Sequence, residues 1–226
     1  MMKKFLFVTT ILFLSCAFAP QKKTKVIFFG DSITEIGVKP GGYITRVQNL
    51  CKADGKASQY DFIGSGISGD KVYDLYLRLD EDVLEKHPDM VVIWVGVNDV
   101  WHKTLLGTGT DLNKFERFYL AILKKLKAEN IQTIICTPAV VGEKNDMSNP
   151  LDGDLNRYAN VIRDIAKSQN IPLIDFRKEF YDYEKEHNSQ NKEKGILTYD
   201  KVHPNDAGNQ FISKIMWETI LKVNQH

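Results

Sequence analysis

Apolar runs of strand length alternate with segments of helical period along most of this chain. The pattern predicts a strand at 26–29, a helix at 43–53 behind the Gly41-Gly42 turn, a short strand at 60–63 and a helix at 72–85. The uninterrupted apolar run at 90–95 suits the middle of a parallel sheet, whose strands are covered on both faces. Leu112, Phe115, Tyr119, Ile122 and Leu126 keep helical spacing, with Asp111 placed to cap their helix. A strand at 131–136 stops before Pro138, a helix covers 155–168, and 172–174 forms a last short strand. The charged stretch 181–194 reads as a solvated helix or loop. Phe211, Ile212, Ile215, Met216 and Ile220 then make one face of a closing helix. Five strands alternating with helices predict an α/β sandwich around a mainly parallel sheet.

The beginning of the chain departs from this alternation. Lys3 and Lys4 precede an apolar run at 5–18, broken only by Thr9, Thr10 and Ser15. A basic stretch before a short apolar one is the form of a secretory signal, and the run is too short for a confident membrane span. The expected organisation is therefore a signal at 1–19 and one domain at 22–226, free of repeats and low-complexity linkers. Two processing routes stay open. Ala17-Phe18-Ala19 offers a small-residue cleavage site, with Pro20 against it. Leu14-Ser15-Cys16 is similar to a bacterial lipoprotein box, with Cys16 as the lipid-bearing residue, although Phe13 stands where leucine is usual. Both routes predict export, to the periplasm, the exterior or a lipid anchor at the cell envelope.

Composition narrows the partners. With 226 residues, 43% hydrophobic and 26% charged, the chain is an ordinary globular domain with a substantial core. A formal charge of +1, which loses two positive charges with Lys3 and Lys4, provides no field to steer a nucleic acid. Beyond the signal only Cys51 and Cys136 remain, and whether they pair cannot be read from spacing. The histidines and cysteines do not cluster as metal ligands do, so neither metal nor organic cofactor is expected.

The candidate chemistry sits at strand ends. Gly30-Asp31-Ser32-Ile33-Thr34 comes directly after the first strand, which puts a serine hydroxyl at a sharp exit from the sheet. Ligands of open parallel sheets bind beyond the carboxyl ends of the strands, and Gly69 and Asn98 also fall after predicted strands. Gly66-Ile67-Ser68-Gly69-Asp70 can expose a backbone N–H, and Asn98 in Gly96-Val97-Asn98-Asp99 can donate its carboxamide N–H to a developing oxyanion. Near the end, Asp200-Lys201-Val202-His203 supplies a carboxylate and an imidazole on a turn closed by Pro204. With Asp200 on Nδ1, Nε2 of His203 is free to face the serine. Serine, histidine, aspartate and spare donors are the parts of an acyl-transfer site. Asp31, Trp101 and His102 are candidate substrate contacts, the tryptophan serving either as a platform for a sugar ring or as core packing.

At these residues the chain resembles the SGNH hydrolases, the GDSL-type lipase/acylhydrolase superfamily. The resemblance spans essentially the whole mature chain. It departs at Gly64, where members often have asparagine, and at Lys71, where they often have threonine. It implies a flavodoxin-like three-layer sandwich and assigns Ser32 as nucleophile, His203 as general base and Asp200 as its orienting partner. It also implies an oxyanion hole made by the Ser32 and Gly69 N–H groups and the Asn98 side chain. The expectation is a serine ester hydrolase acting on a small-molecule or carbohydrate ester, with deacetylation of a carbohydrate preferred. Lysophospholipase or short-chain thioesterase activity is the main alternative. A glycan-binding module without catalysis, and a phosphate-binding flavodoxin-like protein, rank below these.

Overall fold

A computed structural model describes residues 22–224, so the expected signal segment and Cys16 lie outside the described residues. Five strands form one sheet: β1 Thr24–Gly30, β2 Tyr60–Gly66, β3 Met90–Trp94, β4 Gln132–Cys136 and β5 Leu173–Ile174. All pairings are parallel, in the order β2-β1-β3-β4-β5. This is the flavodoxin-like order, with its switch point between β1 and β3, and the expected three-layer sandwich is upheld.

The helices are α1 Ser32–Gly37, α2 Tyr43–Ala53, α3 Val72–Leu77, α4 Leu79–Asp82, α5 Val97–Leu105, α6 Leu112–Ala128, α7 Asp152–Gln169, α8 Phe176–His187 and α9 Asp206–Val223. Strand alternation divides the core between them. Val26 and Phe28 of β1 join Tyr43, Phe176 and Met216 from α2, α8 and α9 on one face. Ile27 and Phe29 join Leu75, Tyr119 and Ile162 from α3, α6 and α7 on the other. Because helices cover both faces, β3 is buried at every position.

Four local expectations are corrected. The helix predicted at 72–85 is broken at Arg78, whose side chain turns toward the ends of β1 and β2, and again at Val83. Tertiary hydrogen bonds there outweigh helical propensity. Asp111 stands at the N-cap of α6 but does not cap it, because its carboxylate is taken by Lys103 at 2.7 Å. The charged stretch 181–194 is mostly solvated, but through His187 it is the end of a helix that begins at Phe176, and it buries Glu184 on the same side as Phe176 and Phe180. Two helices, α1 and α5, fall where no helix is predicted, since each is too short to display a period. Cys51 and Cys136 are both free and buried.

Strand register sets the level of the site. Gly30 pairs with Gly66 and with Trp94, and Trp94 with Cys136, so the carboxyl ends of four strands stand level. A Cβ on Gly66 would lie 2.2 Å from the Glu35 amide nitrogen and 2.6 Å from the Asp31 carbonyl, because α1 rests on the end of β2. Gly66→Ala should therefore lower stability by about 1–3 kcal/mol, the usual cost of overpacking. Urea denaturation measures it, and an unchanged midpoint would show that α1 is not held this tightly.

Candidate active site

Ser32 is positioned by backbone constraint. β1 ends at Gly30, where any Cβ would fall 2.4 Å from both the Trp94 carbonyl and the Thr34 hydroxyl. Asp31 then leaves the strand and caps α1, its Oδ1 accepting from the Ile33 N–H at 3.0 Å. Ser32 opens the helix, so its own N–H is one of the orphan donors of a helix start.

His203 arrives from the far end of the chain. A bridge between Thr198 and Pro204 closes a turn that presents Asp200 and His203, with Lys201 between them in the left-handed region at φ 89°. Asp200 Oδ1 accepts from the Val202 N–H at 3.1 Å and the His203 N–H at 2.8 Å, and Oδ2 lies 2.7 Å from His203 Nδ1. Burial works against the Asp200 charge, but these hydrogen bonds prevail and hold its carboxyl below the usual range. A carboxylate only accepts, so Nδ1 carries the proton and Nε2 is left as an acceptor. Ser32 Oγ stands 2.8 Å from that Nε2. The exposed ring of Tyr199 stacks on the imidazole at 5.8 Å between centroids, 19° from parallel.

The expected donors leave the same rim of the sheet as Ser32. Gly69 adopts φ +86°, which a side chain would strain, and among the described residues its N–H meets no acceptor. Glu35 steadies its loop by accepting from both the N–H and the hydroxyl of Ser68 at 2.6 Å. Asn98 is buried in the first turn of α5 and gives one amide hydrogen to the Asp70 carbonyl at 3.1 Å, which orients the group and leaves the second hydrogen for a ligand. His102 flanks Gly69, its Cε1 3.7 Å from where a Cβ would stand. Burial and then the Lys71 charge keep its ring below the ordinary histidine range, hence neutral.

One expected contact moves elsewhere. Asp31 is only 1% exposed and serves as the α1 cap, which makes it a positioning group and not a substrate contact. Burial, with smaller contributions from the Asp99 and Asp70 charges, pushes its carboxyl up to about 7. Trp101 both packs on the core and lines a groove of about 410 Å³ with Leu105, Val141, Pro150, Leu151 and Lys201. A larger groove of about 790 Å³ lies where β4 and β5 begin, at the other end of the sheet, and contains none of these residues.

Arg78 is a functional support that sequence reading missed. It donates to Asp70 Oδ2 at 2.7 Å, to Asp82, to the Ser65 side chain and carbonyl, and to the Gly30 carbonyl at 2.8 Å, using all its donors. It thereby ties the serine-bearing and glycine-bearing loops together. No motif announces it, since an arginine in a charged helical segment reads as solvated. Tyr199, adjacent to Asp200, was visible only by adjacency.

A parallel α/β sandwich with a Ser–His–Asp relay at its carboxyl rim is the arrangement of a serine acylhydrolase. The chain matches the GDSL-like Lipase/Acylhydrolase family over residues 28–211 and belongs to it; it is a carboxylic ester hydrolase. A solved acetyl xylan esterase, AlAXEase, is 56% identical, with a TM-score of 0.86, covering 87% of this chain and 99% of that one. A curated "Acetylxylan esterase" of Geobacillus stearothermophilus is 29% identical over 84% of this chain and 90% of its own length. Catalytic mutants of Axe2, an acetylxylan esterase from the same organism, have been solved with a serine, a histidine or an aspartate replaced by alanine. They are 26% identical, with TM-scores of 0.76, and cover 89% of this chain and 96% of theirs.

The Asp31 carboxyl yields a pH test. Folded, it keeps its proton to about pH 7, whereas in the unfolded chain it ionises near pH ~4. Its contribution to stability is thus complete below pH ~4 and declines as pH rises to 7. Asp31→Asn retains an oxygen for the Ile33 N–H and removes the titration. Its urea midpoint relative to wild type should rise between pH 4 and pH 8; parallel midpoints would refute the assignment.

Proposed function

We propose that this enzyme removes acetyl groups from an acetylated, xylan-type polysaccharide or its oligosaccharides, through Ser32, His203 and Asp200. The observation that carries the reading is the unbroken relay of 2.8 Å from Ser32 Oγ to Nε2 and 2.7 Å from Nδ1 to Asp200. The 56% identical relative, named an acetyl xylan esterase, supports the choice of substrate.

The geometry gives each residue a step. Ser32 Oγ attacks the acetyl carbonyl while its proton passes to Nε2, and the imidazolium so formed is held by the Asp200 carboxylate. The oxyanion accepts from the Ser32 and Gly69 N–H groups and from the free Asn98 amide hydrogen. His203 then returns the proton to the departing sugar oxygen, leaving acetyl-Ser32. A water that loses its proton to Nε2 attacks this ester, and acetate leaves with Ser32 restored. The sugar chain lies along the Trp101 groove, whose apolar lining and the side chains of Lys144, Glu193 and Lys201 combine a stacking surface with hydrogen-bonding groups. Export directed by residues 1–19 would bring the enzyme to such a substrate, which is polymeric and outside the cell.

Nitrophenyl esters from acetate to decanoate, run beside acetylated xylo-oligosaccharide, test the reading. Acetate should be preferred, Ser32→Ala should abolish turnover and fluorophosphonate labelling, and Asn98→Ala should lower kcat about 100- to 1000-fold. A preference for long acyl chains would transfer the reading to lysophospholipids or thioesters. An unlabelled wild-type serine would favour a glycan-binding module. Trp101→Ala should raise KM for the oligosaccharide at least severalfold and leave nitrophenyl acetate nearly unchanged; equal effects on both would remove the groove from the substrate path.

A further inference from the structure

The turn that carries Asp200 and His203 has no sheet to hold it. Residues 196–198, which lead into it, point successive backbone N–H groups inward, and one side chain from another part of the chain receives them. Glu143 is fully buried in the segment after β4. Its Oε2 accepts from the Ile196 N–H at 2.8 Å, and its Oε1 from the Leu197 and Thr198 N–H groups, both at 2.6 Å. The backbone around it is tied in as well. The Gly142 N–H donates to the Lys201 carbonyl at 2.8 Å, the Glu143 N–H to the Glu193 carbonyl at 3.0 Å, and Asn188 Nδ2 to the Glu143 carbonyl at 2.6 Å.

We propose that Glu143 is the positioning residue of the histidine half of the site, clamping the strap that fixes Asp200 and His203 opposite Ser32. The proposal rests on the relay being the catalytic one. Burying a carboxylate is costly unless it is fully hydrogen-bonded, and three converging amides meet that condition with charge-assisted bonds. They also dictate the residue type. A glutamine could accept with its oxygen alone, and its NH2 would face an N–H that needs an acceptor. The clamp ends at Thr198, whose bridge to Pro204 closes the catalytic turn, so a slackened clamp displaces His203 directly. Displacements near 1 Å at a reacting group can cost on the order of 100-fold in rate.

A second buried carboxyl completes the arrangement. Glu184 of α8 is 2% exposed, and burial, then the Glu143 charge, push it up to about 9. Arg177 and Asp152 also face it, with opposite effects. Glu184 therefore keeps its proton at neutral pH.

Glu143→Gln and Glu143→Asp in the full chain test the clamp. For Glu143→Gln, kcat on nitrophenyl acetate should fall about 10- to 100-fold with KM within twofold, the signature of a lost transition-state arrangement. The far-downfield proton resonance of His203 Nδ1, bonded to Asp200, should broaden or vanish while thermal unfolding remains cooperative. Glu143→Asp keeps the charge but not the reach and should lie between the two. A folded Glu143→Gln with wild-type kcat and an intact Nδ1 resonance overturns the proposal, as does a raised KM at unchanged kcat. Should Glu143→Gln fail to fold, Glu143→Asp decides, with a wild-type kcat and resonance counting against the clamp. The resonance needs no turnover, so it judges Glu143 even if the wild type neither cleaves esters nor reacts with fluorophosphonate, an outcome that would refute the esterase reading alone.

Discussion

Three loops with no sequence proximity can build one site because Gly30 is paired with Gly66 on one side and with Trp94 on the other. A side chain's facing in a strand alternates with period two, so a one-residue slip of either neighbour would invert its buried face as well as misplace its loop. Burial of β1 and β3 on both faces therefore enforces the level at which Ser32, Gly69 and Asn98 leave the sheet. Close approach adds a second restriction, since neither Gly30 nor Gly66 has space for a Cβ. Arg78 joins the same row by accepting no substitute for its fork: it reaches the Gly30 carbonyl, the Ser65 carbonyl and Asp70 at once.

Beneath that row the electrostatics oppose each other. Asp31, Asp70 and Asp99 are all buried under the rim where the proposed mechanism develops an oxyanion. A developing oxyanion is stabilised by aligned donors and penalised by nearby anions. The structure limits the penalty in two ways. Burial pushes Asp31 and Asp99 up to about 7, which keeps part of their population neutral. Asp70 is paired with Arg78 at 2.7 Å, and burial still leaves its carboxyl above the usual range. Each carboxyl also orients backbone, Asp31 by capping α1 and Asp99 by accepting from the Val72 N–H. Positioning is thus obtained from groups that would be unwelcome if fully charged.

Legibility in the sequence depends on how far apart the causes of a feature lie along the chain. The strands at Val26, Met90 and Ile134 were legible because burial on both faces leaves continuous apolar runs, and the helices α2, α6 and α9 because they are long enough to repeat their period. Ser32 and Asn98 were legible as short motifs at strand ends, and Asp200 and His203 as a pair on a turn just before the closing helix; the structure brings Ser32, Asp200 and His203 into one hydrogen-bonded line. The short α1 and α5 were not, since six and nine residues scarcely reveal a helical repeat. Neither was the inward turn of Arg78, nor the burial of Asp31, because both are decided by partners from other elements.

The two halves of the site are consequently held by different physics. Ser32 and the donors around it are fixed by sheet register and by steric exclusion at glycines, constraints that unfold only with the core. Asp200 and His203 stand on a strap whose inward amides end on a carboxylate 53 residues before Ile196. Local opening draws on segments with few buried apolar contacts, and this strap has Leu197 and Val202 in the core, with Ile196 partly packed against it. The 2.8 Å contact between Ser32 and His203 is therefore a meeting of a rigid part with a tethered one. Its length depends on the tether, and so the integrity of the relay turns on polar groups that no hydrophobic pattern records.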